Sequence, residues 1–323
     1  LYAATENGVY VSFDGAATWQ SLQNDLPHTS MRDIVVHDND LIVATHGRGF
    51  WILDDIEPLR ELASVLRQAQ DDTPKDDGAS YLFAPERAYR VRRSTNSDTP
   101  LPPEEPMGEN PPDGAIVDYA LARPARHVVL SFYDRSGRLV RRYASDDAAP
   151  APIPHLDKPA YWERPFVTPS TAAGMHRFVW DLREPPPLAT SQDLPISAVP
   201  HDTPRVPEGP LVLPGVYSVR LDVDGHTLQR PLSVVMDPRV VISNEALATQ
   251  YLLAARLTSL ADKSYDAAAK ARGNAVATAA FTKINEAATA LLDTVDGADA
   301  PPTQQATAAV GDLERRFDAL KRR

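Results

Sequence analysis

Leu1-Tyr2-Ala3-Ala4-Thr5, followed by Gly8-Val9-Tyr10-Val11, returns about 40 residues later as Leu41-Ile42-Val43-Ala44-Thr45, followed by Gly49-Phe50-Trp51-Ile52. Each copy reads as two short strands joined by a Gly-containing turn. A repeat near this length with several strands per copy is the signature of a β-propeller blade. Between the copies, Met31-Arg32-Asp33-Ile34-Val35-Val36-His37 reads as the innermost strand of the second blade, and Asp38-Asn39-Asp40 as its turn. Tyr81-Leu82-Phe83 and Tyr89-Arg90-Val91 are expected to be outer strands, so residues 1–93 hold roughly one and a half blades. Rings close with about four to eight blades. This stretch therefore reads as the tail of a larger ring, and the chain as the C-terminal part of a longer protein.

Proline marks the next boundary. Of the 30 prolines, 22 fall between Pro100 and Pro214, which confines that third of the chain to short strands and rigid loops. Residues 94–112 read as a proline-rich linker and 113–240 as an immunoglobulin-like β-sandwich. Its strands are 115–121, a hairpin 127–133/138–143 across Asp134-Arg135-Ser136-Gly137, 175–182, and a second hairpin 216–223/226–235 across Asp224-Gly225. The proline-rich excursions 144–172 and 184–213 either wrap a neighbouring unit or move freely. Residues 243–323 change character again. Ser243 or Asn244 can cap a helix running to about Arg272; Ile284, Ala288, Leu291 and Val295 recur at helical spacing on a second, and Val310, Leu313, Phe317 and Leu320 on a third. An antiparallel helical hairpin or three-helix bundle is expected. The fold class is thus multidomain and mainly β with an α C-terminus.

Composition narrows the function. Forty-four acidic against 33 basic residues, a net charge of -11, argue against a nucleic-acid partner, which needs a basic face. The absence of cysteine excludes disulfides, thiolate nucleophiles and Cys-ligated zinc. No apolar run approaches the roughly 18 residues of a membrane span.

Ser12-Phe13-Asp14-Gly15-Ala16-Ala17-Thr18-Trp19 resembles the Asp-box of sialidase-like, or BNR, repeats, Ser-x-Asp-Gly-Gly-x-Thr-Trp, with Ala16 in place of the second glycine. The resemblance implies that Ser12, Asp14, Gly15 and Thr18 pin a hairpin turn while Trp19 packs between blades. The segment from Thr45 to Asp55 lacks an Asp-box and is similar to the last blade of bacterial propeller proteins related to sortilin ectodomains, often labelled glycosyl hydrolases. Gly108 to Ala115, Ala173 to Arg183 and Pro214 to Arg220 are similar to the region following that ring, and the last two also resemble the Ig-like module of flagellar hook-capping proteins. The likeness covers nearly the whole chain. It implies export to the periplasm or beyond, with the upstream blades of the same propeller as partner and a glycan or protein as further partner.

A glycosidase needs two carboxylates flanking a sugar. Asp14 reads instead as a turn fastener. Asp54, Asp55 and Glu57 read as a solvated strand end, since neighbouring strand residues face opposite ways. Asp71, Asp72, Asp76 and Asp77, flanking Thr73-Pro74-Lys75, read as a solvated loop whose spacing is unlike an EF-hand. Arg48, between two glycines, is the one arginine placed to face a propeller pocket, and reads as structural. His46 and His176 read as strand-end hydrogen bonders, and no His-Glu-x-x-His pattern, phosphate loop or nucleophile elbow occurs. Trp19, Trp162 and Trp180 read as core aromatics rather than sugar platforms. Tyr251, Leu253, Leu257 and Leu260 make the first helix apolar over a wide arc, mostly for packing. No catalytic residue, metal or cofactor is assigned. The expectation is a non-catalytic segment that closes and buttresses a ring. The alternatives are part of a glycoside hydrolase whose catalytic carboxylates lie on upstream blades, and a sortilin-like peptide-binding propeller.

Overall fold

The computed structural model describes residues 1–71, 80–92, 111–195 and 201–322, with backbone alone at 65–71. Among the described residues the chain is mainly β with four α-helices, three of them consecutive at the C-terminal end.

The two repeat copies form two antiparallel three-stranded sheets. One contains β1 (Tyr2–Thr5), β2 (Gly8–Val11) and β3 (Gln20–Ser21); the other contains β4 (Met31–His37), β5 (Asp40–Thr45) and β6 (Phe50–Leu53). β1 lies beside β4, and the sheets share a small core of Val9, Met31, Leu41, Val43 and Ile56. Strand alternation explains the choice, since Leu41 and Val43 turn inward from one face of β5. The other face of the second sheet stays open, with Val35, Phe50 and Ile52 exposed.

After β6 the structure departs from the sequence reading. Asp54-Asp55 is no solvated strand end: Asp55 is only 3% exposed and takes φ +53°, turning the chain into α1 (Glu57–Asp71). The Asp55 carboxylate accepts the Glu57 N–H at 3.0 Å, and Pro58 in the first turn has no amide to satisfy. Asp71 is therefore the last residue of a helix rather than part of a loop, while Asp72, Asp76 and Asp77 lie outside the described residues.

The second correction concerns 80–91. β7 (Ser80–Leu82) and β8 (Ala88–Arg90) pair with strands of the sandwich, not with the blade-like sheets. Each is three residues long, too short to specify a partner by itself. The choice falls to burial, because Leu82, Phe83 and Ala88 all disappear into or against the sandwich core.

That core lies between two sheets. β7 joins β9 (Ala115–Leu121) and β12 (Gly174–Trp180) in the order β12-β9-β7. The facing sheet is built from β10 (Val128–Tyr133), β11 (Leu139–Ala144), β13 (Gly215–Val223) and β14 (His226–Met236), with β8 added parallel to β14, in the order β11-β10-β13-β14-β8. Trp180 stacks on Phe132 at 4.4 Å across the core and donates its indole N–H to the Arg183 carbonyl. Asp224 (φ +49°) and Gly225 (φ +95°) form the tight turn expected between β13 and β14. Gly114 enters β9 so close to Trp180 that an added Cβ would lie 2.0 Å from its carbonyl oxygen.

The proline-rich excursions wrap. They bridge each other at Glu163–Thr203, the second folds on itself at Asp193–Val206, and the second also crosses the helices. There the Leu188 and Thr190 amides donate to Asp262 and Asn285, and the Asn285 amide group donates back to the Leu188 carbonyl. The helices are α2 (Asn244–Lys270), α3 (Ala275–Asp296) and α4 (Gln304–Lys321), capped by Ser243, Asn274 and Thr303. Gln250 near the start of α2 donates to Val295 at the end of α3, and Phe281 meets Phe317, so successive helices run antiparallel. Leu253, Leu257, Leu260, Ile284, Ala288, Leu292, Val310, Leu313 and Phe317 form their common core.

Candidate functional site

The motif at 12–19 is a fastened turn. Asp14 accepts hydrogen bonds from the Ser12 hydroxyl (2.9 Å), the Thr18 amide (2.9 Å) and the Thr18 hydroxyl (2.5 Å), while the Ser12 hydroxyl oxygen accepts the Ala16 amide (2.9 Å). These donors, Thr18 foremost, hold the Asp14 carboxyl at about 2, well below its ordinary value. A carboxylate so held carries no proton to donate at neutral pH. Gly15 and Ala16 both adopt positive φ, +77° and +79°, so the position at which the motif expects glycine does require left-handed backbone. Trp19 is 42% exposed among the described residues.

The remaining sequence candidates are scattered. Arg48 is exposed and its carbonyl accepts the Trp51 indole N–H at 3.0 Å. The His46 ring lies 3.3 Å from Arg32, and the His176 ring 2.6 Å from the Ala172 carbonyl. Trp180 is buried in the sandwich, Trp162 is half-buried in a short 3-10 turn, and Tyr251 meets Glu184 of the sandwich through its hydroxyl. Sequence reasoning missed the two places where charge is concentrated.

The first is the junction between the blade-like sheets and the sandwich. Arg177 on β12 stands opposite Asp118 on β9 in the strand register and forms a two-point pair with it at 3.0 and 2.9 Å. The same guanidinium donates to the carbonyls of Asp54 (2.7 Å) and Asp55 (3.1 Å), tying the end of β6 to the sandwich. Glu61 of α1 adds two more ties, accepting the Tyr81 hydroxyl and the Ala84 amide, each at 3.0 Å. Burial pushes the Asp55 carboxyl up against the pull of the Glu57 amide. Burial, then the nearby Asp55 and Asp40, pushes Glu86 up as well. An arginine opposite an aspartate in mid-strand was the available signal, but it is readable only once the register is known.

The second is the junction of sandwich and helices. Arg183 donates to Asp296 (2.7 Å) and the Gly209 carbonyl (2.7 Å) and pairs with Glu208 at 3.2 Å. Arg90, 1% exposed, donates to the Val212 carbonyl and pairs with Asp299, to which Arg92 also donates at 2.7 Å. Asp296 ends α3 and Asp299 follows it, where carboxylates meet the negative end of the helix dipole. Three arginines supply the compensating charge. Burial alone would raise Asp299, but the hydrogen bonds from Arg90 and Arg92 hold it below its ordinary value. Glu208 goes the other way, because burial and the neighbouring Asp181 and Asp296 outweigh Arg183.

Beside this junction lies a cleft of about 490 Å³, reached by both proline-rich excursions and by the C-terminal turn of α3. Among the described residues, four basic and six acidic side chains line it, along with an apolar wall that includes Val206, Pro207, Leu211 and Leu292. The described residues contain no group of three His, Cys, Asp or Glu disposed to hold a metal ion, and no helix long and apolar enough to cross a membrane.

No family model and no curated protein matches the chain. The solved structures that are similar in part include two of low identity. CopC from Methylosinus trichosporium OB3b is 12% identical, with 40% of this chain and 84% of that one covered and a TM-score of 0.19. Dimeric latent PorU from Porphyromonas gingivalis is 13% identical, with 61% of this chain and 12% of that one covered and a TM-score of 0.22. Scores this low carry no argument about fold or function.

Proposed function

We propose that the chain is a non-catalytic scaffold segment of a BNR-repeat propeller protein. In this reading the two three-stranded sheets are blades, the sandwich is Ig-like, and sandwich and helices buttress the ring. The observation that carries it is the Asp14 turn. The side chains of Ser12, Asp14 and Thr18, whose oxygens the Asp-box resemblance assigns to fastening, are all engaged in it, and the most conspicuous acid of the motif is spent on it. The open face of β4–β6, with three exposed apolar side chains, is a surface that a further blade would cover. Arg177 supplies the buttress, since it grips the blade-like sheets by main-chain carbonyls that no side-chain substitution on that side can remove.

Hydrogen exchange on the whole chain tests the reading. Amides of β1–β6 should exchange faster than those of β9–β14 while the chain is monomeric, because the blade edges lack partners. Equal protection in a monomer would overturn the proposal. So would turnover of an aryl glycoside that is abolished by substituting one of the chain's acids.

A further inference from the structure

The second proline-rich excursion crosses the helices as a strap fixed at both ends. At one end the Glu184 amide donates to the Pro210 carbonyl at 3.0 Å; at the other, Asp193 and Val206 exchange main-chain bonds at 3.1 and 2.9 Å. Gly209 lets the crossing begin, since an added Cβ there would lie 2.0 Å from the Glu184 carbonyl oxygen. Between the anchors, Pro185-Pro186-Pro187 stiffens the strap. Each proline fixes its own φ and pushes the residue before it to an extended conformation. Among the described residues, no strand pairs with 185–192.

The helices hold the strap by its main chain. The Asp262 carboxylate of α2 accepts the Leu188 amide at 2.8 Å. Asn285 of α3 accepts the Thr190 amide through Oδ1 and donates from Nδ2 to the Leu188 carbonyl, both at 2.8 Å. Two helix side chains thus read three main-chain groups, and the Thr190 hydroxyl adds a bond to the same Oδ1 at 2.9 Å. Asn285 is 0% exposed, and Nδ2 also donates to the Ala261 carbonyl of α2 at 2.9 Å. That carbonyl only accepts, so it turns the amide nitrogen toward α2 and fixes where the remaining N–H and the oxygen point. The helical core therefore presents a pre-oriented donor and acceptor matched to an extended backbone. Pro187 is buried beneath the strap, whereas Pro185, Pro186 and Leu188 are exposed.

We propose that this α2–α3 face is a docking groove for extended, proline-rich segments of other polypeptides, and that residues 185–190 occupy it in cis as a displaceable strap. A site that reads main-chain groups admits any sequence offering the same amides and carbonyl. A proline run supplies a partner that is already extended and has little conformational entropy left to lose. Both anchors lie off the helices, so lifting the strap breaks only its bonds to Asp262 and Asn285 and uncovers Pro187.

Fluorescence anisotropy of the whole chain with a labelled peptide of the strap's own sequence, residues 184–191, tests this. Thr190→Pro removes one amide and one hydroxyl from the strap; Thr190 is exposed, so the variant should keep its fold, which circular dichroism checks. It should bind the peptide at least about tenfold more tightly than the unaltered chain, where the tethered strap competes at high effective concentration. Adding Asp262→Ala should weaken the peptide about fivefold, the share of one hydrogen bond. A peptide with alanine at its three prolines should bind less tightly. Hydrogen exchange on the unaltered chain is an independent measurement: excess peptide should speed exchange of the Leu188 and Thr190 amides. The proposal falls if Thr190→Pro binds no peptide up to about 1 mM or binds it no better than the unaltered chain. It falls equally if Asp262→Ala changes nothing, if the alanine peptide binds as well, or if excess peptide leaves those two amides as protected as before.

Discussion

Arg177 is the residue on which the coupling of the blade-like sheets to the sandwich most depends. Its guanidinium makes four hydrogen bonds: two to Asp118, and one each to the carbonyls of Asp54 and Asp55. Arg177→Ala leaves Asp118, 5% exposed, without its counter-charge. Breaking a buried pair from one side costs about 3–5 kcal/mol. Arg177 itself is 31% exposed and water replaces part of what is lost, so about 2–3 kcal/mol is expected. Arg177→Lys is the sharper perturbation. An ammonium keeps one bond to Asp118 but has no planar fork to reach both carbonyls as well. The sandwich should then hold while the junction loses about 1–2 kcal/mol. The tryptophans divide conveniently, with Trp19 and Trp51 in the first sheets and Trp162 and Trp180 beyond the junction. In urea, a Trp162→Phe/Trp180→Phe background reports the first sheets, and a Trp19→Phe/Trp51→Phe background reports the sandwich. Arg177→Lys should lower the first midpoint by about 0.5–1 M and leave the second within error. Equal shifts of both probes, or none, would refute the idea that Arg177 couples two units.

Two other perturbations have defined outcomes. Ala16→Gly relieves a left-handed alanine, a strain of about 1 kcal/mol offset in part by greater unfolded-chain entropy; the Trp19 signal should unfold at slightly higher urea, and a lower midpoint contradicts the reading of the turn. The Asp55 and Glu86 carboxyls are both raised, chiefly by burial, at a place where Asp40, Glu57 and Asp118 add negative charge and Arg177 and Arg87 oppose it. A raised carboxyl contributes stability that is fully present below its unfolded value and is lost as pH rises through the folded one. The first-sheet midpoint should thus fall between acid and neutral pH, and Glu86→Gln should flatten that fall; an unchanged slope would show that Glu86 takes no part.

The strands and helices were legible where a period repeats. β9 to β14 alternate over six or more residues, and α2 to α4 carry caps and apolar spacings that admit little else. The short pieces were not. β7 and β8 are three residues each, and which sheet edge they join is settled by Leu82 and Ala88 finding the sandwich core, a fact about volumes distant in sequence. α1 was hidden because Asp54-Asp55-Ile56-Glu57-Pro58 looks like a polar break, whereas Asp55 turns the chain and caps the helix that follows. The charged junctions were invisible for a related reason. Arg90 reaches Asp299 across 209 positions and Arg177 reaches Asp55 across 122, and nothing local announces either. The Asp-box, by contrast, is a local device whose donors and acceptor lie within six residues of one another, so its spacing could be read directly.

The two junctions differ in what acid does to them. On the helix side Asp299 is held below its ordinary value by Arg90 and Arg92, so its contribution is present above the unfolded value and fades only as pH falls through the lowered one. On the side of the three-stranded sheets Asp55 and Glu86 are raised, so their repulsion is relieved by protons before Asp299 has begun to respond. Glu208 also takes its proton early, yet Arg183 keeps Asp296 and the Gly209 carbonyl, and the helices remain docked. Mild acidification should therefore tighten the sandwich against the blade-like sheets while leaving its hold on the helices intact. The sandwich is the common partner of both units, and it grips each with arginine. A planar fork of donors holds a carboxylate and a neighbouring carbonyl in one fixed geometry, which is what Arg177 and Arg183 both do.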